Sequence, residues 1–125
     1  MICLDTNYLI LGLTKGSRES GQLIDWHMKG VKMIAPMPVW YEFLCGPVTE
    51  LQIAAIRAFL SEIVPFSEQH AVKAAEFFRF SGRKRHLKVD AMIAATAVFN
   101  EAHLATNNKA DFEQFTGMGL LLIED

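Results

Sequence analysis

Nothing in the chain approaches the roughly 18 consecutive apolar residues that a membrane-spanning helix needs. Nor does it open on the basic and then apolar regions of a secretory signal, since Met1–Leu4 runs straight into Asp5, Thr6 and Asn7. A protein of the cytoplasm with no membrane partner is therefore expected. Cysteine is scarce. Cys3 and Cys45 lie in the apolar contexts Met-Ile-Cys-Leu and Phe-Leu-Cys-Gly, with no CxxC spacing. Two such thiols build neither a disulfide scaffold nor a cysteine zinc site, and both are expected to be buried and reduced. Positive charge is not in excess either: 12 Lys and Arg against 14 Asp and Glu leave a formal net charge of -2. That balance argues against wholesale binding of a polyanion, so any grip on nucleic acid has to be local. The four histidines, His27, His70, His86 and His103, are scattered without an HExxH or paired spacing. Zinc chemistry and a metal-free histidine mechanism both lose support on that ground. Repeats, low-complexity tracts and linkers are missing too.

What is present is a core. The 125 residues are 51% hydrophobic and 21% charged, which suits one compact domain over residues 1–125. Met1–Leu4 is wholly apolar, as a strand buried on both faces is. Thr6 or Asn7 caps a short helix through Leu13. Ser17 or Ser20 starts a second helix, carrying Leu23, Ile24 and Trp26. Met33–Ala35 reads as a strand stopped by Pro36. Pro38 suits the first turn of a helix that runs to Cys45 and ends at Gly46-Pro47. Thr49-Glu50-Leu51-Gln52 matches a capping box, opening a helix with Ile53, Ile56 and Leu60 on one face. Glu62–Phe66 is a third strand, weakened by Pro65. Ser67 caps a helix with Ala71, Ala74, Ala75 and Phe78 at i, i+3, i+4, i+7 spacing. Gly82–Lys88 is a basic connection, and Val89–Ala102 a central helix that is apolar nearly all round. A strand at His103–Thr106, a helical turn at Ala110–Phe115 and a strand at Leu120–Ile123 complete the chain. Strands alternating with helices predict an α/β sandwich with a mainly parallel sheet. Such sheets collect ligands at the carboxyl ends of their strands, near the topological switch point.

Acidic residues fall where that rule looks for chemistry. Asp5 directly follows the first strand, as a helix cap or as a ligand. Glu42 lies in a helix whose apolar side is read as Trp40, Phe43 and Leu44, and it points away from that side, as a surface glutamate or into a site. Asp90 opens the central helix and shares a face with Ile93, Ala94 and Ala97. A partly buried acid there needs a partner or a metal. After the fourth strand, Thr106, Asn107 and Asn108 supply neutral oxygens and Asp111 another carboxylate, in a composition that a turn with an Asx-type cap also explains. Carboxylates brought together repel one another unless a cation is present. Mg²⁺ and Mn²⁺ prefer such hard oxygen ligands, and a metal so held can lower the pKa of a bound water or stabilise charge on a phosphate.

Four segments in order, Leu-Asp-Thr-Asn-Tyr-Leu-Ile, Val-Trp-Tyr-Glu-Phe, Val-Asp-Ala-Met-Ile-Ala-Ala-Thr-Ala and Ala-Thr-Asn-Asn-Lys-Ala-Asp-Phe, resemble the PIN domain over essentially the whole chain. Within it they are most similar to VapC-type toxins of bacterial toxin–antitoxin pairs. The resemblance implies a three-layer α/β/α fold with a five-stranded, mainly parallel sheet. It implies a Mg²⁺- or Mn²⁺-dependent endoribonuclease acting on tRNA or mRNA and leaving 5′-phosphate and 3′-hydroxyl ends. It further implies a homodimer held in check by a cognate antitoxin protein. Asp5, Glu42 and Asp90 match the family's three metal-holding, catalytic acids. Thr6, Asn7 and Thr106 match the polar positions that orient ligands or phosphate. Many members carry aspartate two residues after that threonine, where this chain has Asn108. Asp111 matches the aspartate that commonly precedes phenylalanine in the motif. The fourth metal and catalytic position thus falls to Asp111, or to Asn108 through its carbonyl oxygen.

The run Arg83-Lys84-Arg85-His86-Leu87-Lys88 lies just before Asp90, as a solvated loop or as a holder of RNA phosphates through Arg83 and Arg85, with Lys15 and Arg18 extending the track. Two readings compete with the nuclease. One is a phosphatase or phosphotransferase with Asp5 as nucleophile, which wants a second acid at position 7, where the chain has Asn7. The other is a degenerate interaction module. Phe59, Phe77 and Phe80 either pack the core or serve a dimer or antitoxin groove.

Overall fold

The computed structural model describes residues 1–124. Five strands, β1 (Ile2–Leu4), β2 (Met33–Pro36), β3 (Glu62–Val64), β4 (His103–Ala105) and β5 (Leu121–Leu122), form one sheet in the order β3-β2-β1-β4-β5. Every pairing is parallel. Every residue of β1 and β2 is buried, so both faces of the sheet are covered, and these strands read as unbroken apolar runs for that reason. Among the described residues seven α-helices flank it: α1 (Thr6–Leu11), α2 (Arg18–Met28), α3 (Met37–Cys45), α4 (Glu50–Arg57), α5 (Glu68–Phe80), α6 (Lys88–Phe99) and α7 (Lys109–Phe112). Among the described residues no helix is long and apolar enough to cross a membrane.

Local chemistry sets the boundaries. Pro65 stops β3 at Val64, and Pro38 occupies the first turn of α3. The Thr49–Gln52 capping box forms as read, and Ser17 caps α2 by accepting from the Ser20 N–H. Gly12 is needed for close approach: a Cβ there would stand 2.5 Å from Leu23 Cδ1. α6 is buried along Ala91, Ile93, Ala94, Ala95, Thr96 and Ala97, and its small alanines let it lie close on β1, β2 and β4 with α5 and α3 packed against it. Its first turn is anchored by a short 3₁₀ turn, Arg85–Leu87, which drives Leu87 into the core in the middle of the basic run.

Several expectations about faces need correction. The buried stripe of α5 is His70, Ala74 and Phe77, one residue out of step with the alanine pattern, while Ala71 is exposed. The reason is a second capping box. The His70 ring Nδ1 accepts from the Ser67 N–H at 3.0 Å while Ser67 Oγ accepts from the His70 N–H. The imidazole, thus pinned inward, packs against Phe66 and Phe99. Phe77 is therefore core and not part of a partner groove, Phe59 packs against the core, and Phe80 alone of the three is exposed. Cys3 is buried, and desolvation pushes its thiol far up, but Cys45 is exposed on the outer side of α3 together with Leu44. Ile24 likewise faces solvent, and Leu60 lies past the end of α4.

His70→Ala is expected to cost roughly 2–4 kcal/mol, about 1 from the lost cap and the rest from the cavity left among the aromatic rings. Glutamine at position 70, which can close the same box through its carbonyl oxygen, should recover the cap portion. Urea unfolding of the two variants checks this.

Candidate active site

From β1 the chain moves to β2 and β3 on one side, then returns to β4 and β5 on the other, so the switch point lies between β1 and β4. Asp5 and Thr106 are the first residues past these neighbouring strands. The Asp5 N–H donates to the Ala105 carbonyl at 3.1 Å, which brings the two side chains face to face. Thr106 Oγ1 donates to Asp5 Oδ2 at 2.7 Å, and the Thr6 N–H donates to Asp5 Oδ1 at 2.7 Å. Asp5 is therefore both the N-cap of α1 and a member of the cluster. Burial pushes its carboxyl above the ordinary range, the two hydrogen bonds pull it back, and the charge of Glu42 pushes it up again.

Glu42 stands exposed on α3, flanking the buried Val39–Phe43 side, with Oε1 accepting from Thr6 Oγ1 at 2.8 Å. Asp90 is in the first turn of α6, half-buried, on the same side as Ile93, Ala94 and Ala97. Its carboxyl is pushed up to about 6, first by desolvation and then by the charges of Asp5, Asp111 and Glu42, while His86 pulls it down. Asp111, in the first turn of α7, accepts from Asn108 Nδ2 at 2.7 Å. A carboxylate only accepts, so the Asn108 amide nitrogen must face it. Four acids from four elements thus share one electrostatic site at the carboxyl edge of the sheet.

That donor set suits a hard divalent cation, which would quench the mutual repulsion raising Asp90. Among the described residues, however, no three acidic, histidine or cysteine side chains already stand in a metal-holding arrangement. Thr6 links Glu42 to Asp5, donating its hydroxyl to the one and its N–H to the other, and Asn108 donates to Asp111. Mg²⁺ usually takes one or two carboxylates directly and keeps several waters, so a cluster of this looseness still fits it.

The sequence between residues 2 and 117 matches the family model described as the PIN domain. The chain belongs to the PIN-domain family. No curated protein matches it. A solved structure of a toxin–antitoxin complex from Klebsiella pneumoniae is 28% identical, with 90% of each chain covered and a TM-score of 0.68. The VapBC2 complex of Rickettsia felis, bound to a DNA fragment from its promoter, is 24% identical over 98% of both chains, with a TM-score of 0.72. A DNA-bound VapBC of Salmonella typhimurium is 18% identical, with 98% of this chain and 96% of that chain covered and a TM-score of 0.74.

Other features expected of this PIN domain fall near the cluster or away from it. Thr6 and Thr106 are bonded into it and Asn7 is exposed beside it in the chain. Arg83 and Arg85 are exposed, and among the described residues neither forms a hydrogen bond or ion pair with the acids. Arg83 does carry a sign of constraint: it follows Gly82 into the left-handed region, at φ 59. A non-glycine residue there costs about 1–2 kcal/mol. An apolar groove of about 620 Å³ runs between α3 and α6, walled by Met37, Pro38, Tyr41, Leu44, Phe66, Val89 and Met92, with Glu42 at its edge. A larger hollow of about 1100 Å³ along β5 touches none of the four acids.

Glu19 is the polar residue the sequence reading passed over. It is buried in the first turn of α2, accepting from Asn107 Nδ2 at 3.0 Å, with Arg18 Nη2 at 3.6 Å. A signal existed: Glu19, Leu23 and Trp26 fall at i, i+4, i+7, which places the acid on the inward face.

Proposed function

We propose that this PIN domain is a Mg²⁺- or Mn²⁺-dependent endoribonuclease, acting in the cytoplasm as the toxin of a toxin–antitoxin pair. The observation that carries the reading is the meeting of acids at the sheet's switch point: Asp5 just past β1 is bonded to Thr106, Thr6 links it to Glu42 on α3, and Asp90 and Asp111 open the adjoining helices α6 and α7. Asp5, Glu42, Asp90 and Asp111 are assigned to hold the ion, and a bound divalent ion supplies an activated water and charge stabilisation at the scissile phosphate. The chain's own hydroxyls and amides keep those acids aimed. Thr106 fixes Asp5, Thr6 fixes Glu42 and Asn108 fixes Asp111. Asn7, Arg83 and Arg85 are assigned to RNA phosphates, the two arginines from a loop adjoining α6. The phosphotransferase alternative is disfavoured because it wants a second acid two residues after Asp5, where the chain has Asn7.

A cognate antitoxin and a second copy of the chain are the proposed partners. Likeness in fold to toxin–antitoxin complexes and the apolar groove beside Glu42 support a protein partner at this edge.

The purified protein is expected to cut RNA with Mg²⁺, to stop in EDTA and to resume when Mg²⁺ or Mn²⁺ is restored, leaving 5′-phosphate ends. Cleavage indifferent to EDTA would sink the assignment. For the basic loop, Arg83→Ala and Arg83→Gly should weaken RNA binding equally and flatten its salt dependence by about one phosphate contact. The glycine variant should be more stable than the alanine variant by about 1 kcal/mol, because only it relieves the left-handed backbone. Salt-titrated binding together with thermal melts tests both halves.

A further inference from the structure

Three consecutive residues after β4 each send a side chain to a different acid. Thr106 Oγ1 donates to Asp5, Asn107 Nδ2 donates to Glu19, and Asn108 Nδ2 donates to Asp111. The outer two acids belong to the cluster. Glu19 does not, yet it is only 7% exposed, and a buried carboxylate is costly unless it is hydrogen-bonded. Its bond to Asn107 spans α2 and the β4–α7 loop. Arg18 Nη2 donates to Asn107 Oδ1 at 2.8 Å, so both ends of that amide are fixed by opposite partners and its orientation is unique. The loop is tightened further by the Asn108 N–H, which donates to Thr106 Oγ1 at 3.0 Å.

We infer that Glu19 is a positioning residue of the acid site: through Asn107 it pins the loop from Thr106 to Asp111, and so sets both the hydroxyl that holds Asp5 and the placement of the fourth acid. The inference rests on the nuclease reading for its consequence in catalysis, but the anchoring itself does not. Glu19 spends its carboxylate on Asn107 and Arg18 and is not an ion ligand. Its effect reaches the site only through the loop. Supporting shells of this kind usually cost 10–100-fold in metal affinity or activity when removed, on the order seen for partners of metal ligands.

The test compares wild type with Glu19→Ala, Glu19→Gln and Asn107→Ala, the last removing the same bond from an exposed position if the first fails to fold. Amide exchange by NMR reads the anchoring directly. The Asn108 N–H should exchange faster in Glu19→Ala and in Asn107→Ala, and near the wild-type rate in Glu19→Gln, whose carbonyl still accepts from Asn107. Mn²⁺ alone, titrated by electron paramagnetic resonance, should bind about 10–100-fold more weakly to the two alanine variants. RNA cleavage should lose kcat with KM changed less than about threefold, and a double variant combining Glu19→Ala with Asn107→Ala should be no worse than either single, as one shared bond requires. Unaltered Asn108 exchange, or losses that add in the double variant, would overturn the inference. A wild-type chain that neither binds Mn²⁺ nor cuts RNA, but shows the expected exchange pattern, would count against the nuclease reading and leave the anchoring standing.

Discussion

Replacing Asp5 by asparagine is expected to reduce RNA cleavage at least about a hundredfold, beyond what losing a mere supporting partner costs, with the fold kept. The fold survives because asparagine can satisfy the same neighbours. Its carbonyl accepts from the Thr6 N–H, and its amide donates to Thr106 Oγ1, whose proton then turns elsewhere. Stability should hold or rise, since the change removes a carboxylate that burial and Glu42 both penalise. Asp5→Ala is the wrong comparison: it strands a buried N–H and a hydroxyl, at about 1–3 kcal/mol for each unsatisfied group. Circular dichroism, melting temperature and RNA cleavage with Mg²⁺ decide the matter together. Retained Mg²⁺-dependent cleavage in Asp5→Asn would exclude Asp5 from the chemistry.

The second large effect is on stability. Asp90 in the folded chain has a carboxyl pushed up to about 6 from an ordinary 3.8. The folded state therefore holds this proton more tightly than the unfolded state. Asp90's favourable contribution is complete below about pH 4 and is lost as pH rises through 6, so at neutral pH its ionised form opposes folding. Asp90→Asn should consequently melt higher than wild type at pH 7.5 in EDTA, by about 1–2 kcal/mol once solvent screening of a half-exposed group is allowed for. That is roughly 4–8 °C for a domain of this size. The advantage should shrink from pH 6 downward and vanish near pH 4. Mg²⁺ should raise the wild-type melting temperature and close the gap, while moving Asp90→Asn little. A variant less stable than wild type in EDTA at pH 7.5, or one shifted by Mg²⁺ as much as wild type, contradicts this account.

The parts of this architecture that could be read in advance were those fixed by local chemistry. An all-apolar β1 ending in Asp5, the capping residues Thr49 and Ser67 and the alanine-rich α6 each carry their own signature. Orientation was harder, because alanine marks no side of a helix strongly. The inward face of α5 was decided by His70, a polar residue whose ring serves as a cap, and periodicity of apolar residues does not register that. Cys45 and Leu44 look like core by type, but α3 needs only Val39 and Phe43 inward, so the rest of its apolar surface is left outside. In the site, Asp5 and Asp90 were legible because an element boundary and an apolar face surround them. The choice between Asn108 and Asp111 was not, since it depends on which way one amide turns. Glu19 was invisible as a partner of Asn107 because 88 residues separate them.

The same long separations govern when the site comes into being. Asp5 is made before the rest of the site, yet its partner Thr106 lies 101 residues further along, and β1 remains half-paired until β4 docks beside it. Asp111 arrives later still. A partly synthesised chain can pair β1 with β2 and β2 with β3 and cover one flank, but it holds no closed acid cluster until the residues through α7 are free to fold back. Contacts of such separation form slowly and late, as loop-closure entropy requires. On the proposed reading, a growing chain whose α7 has not yet been made is inert toward the RNA that surrounds it.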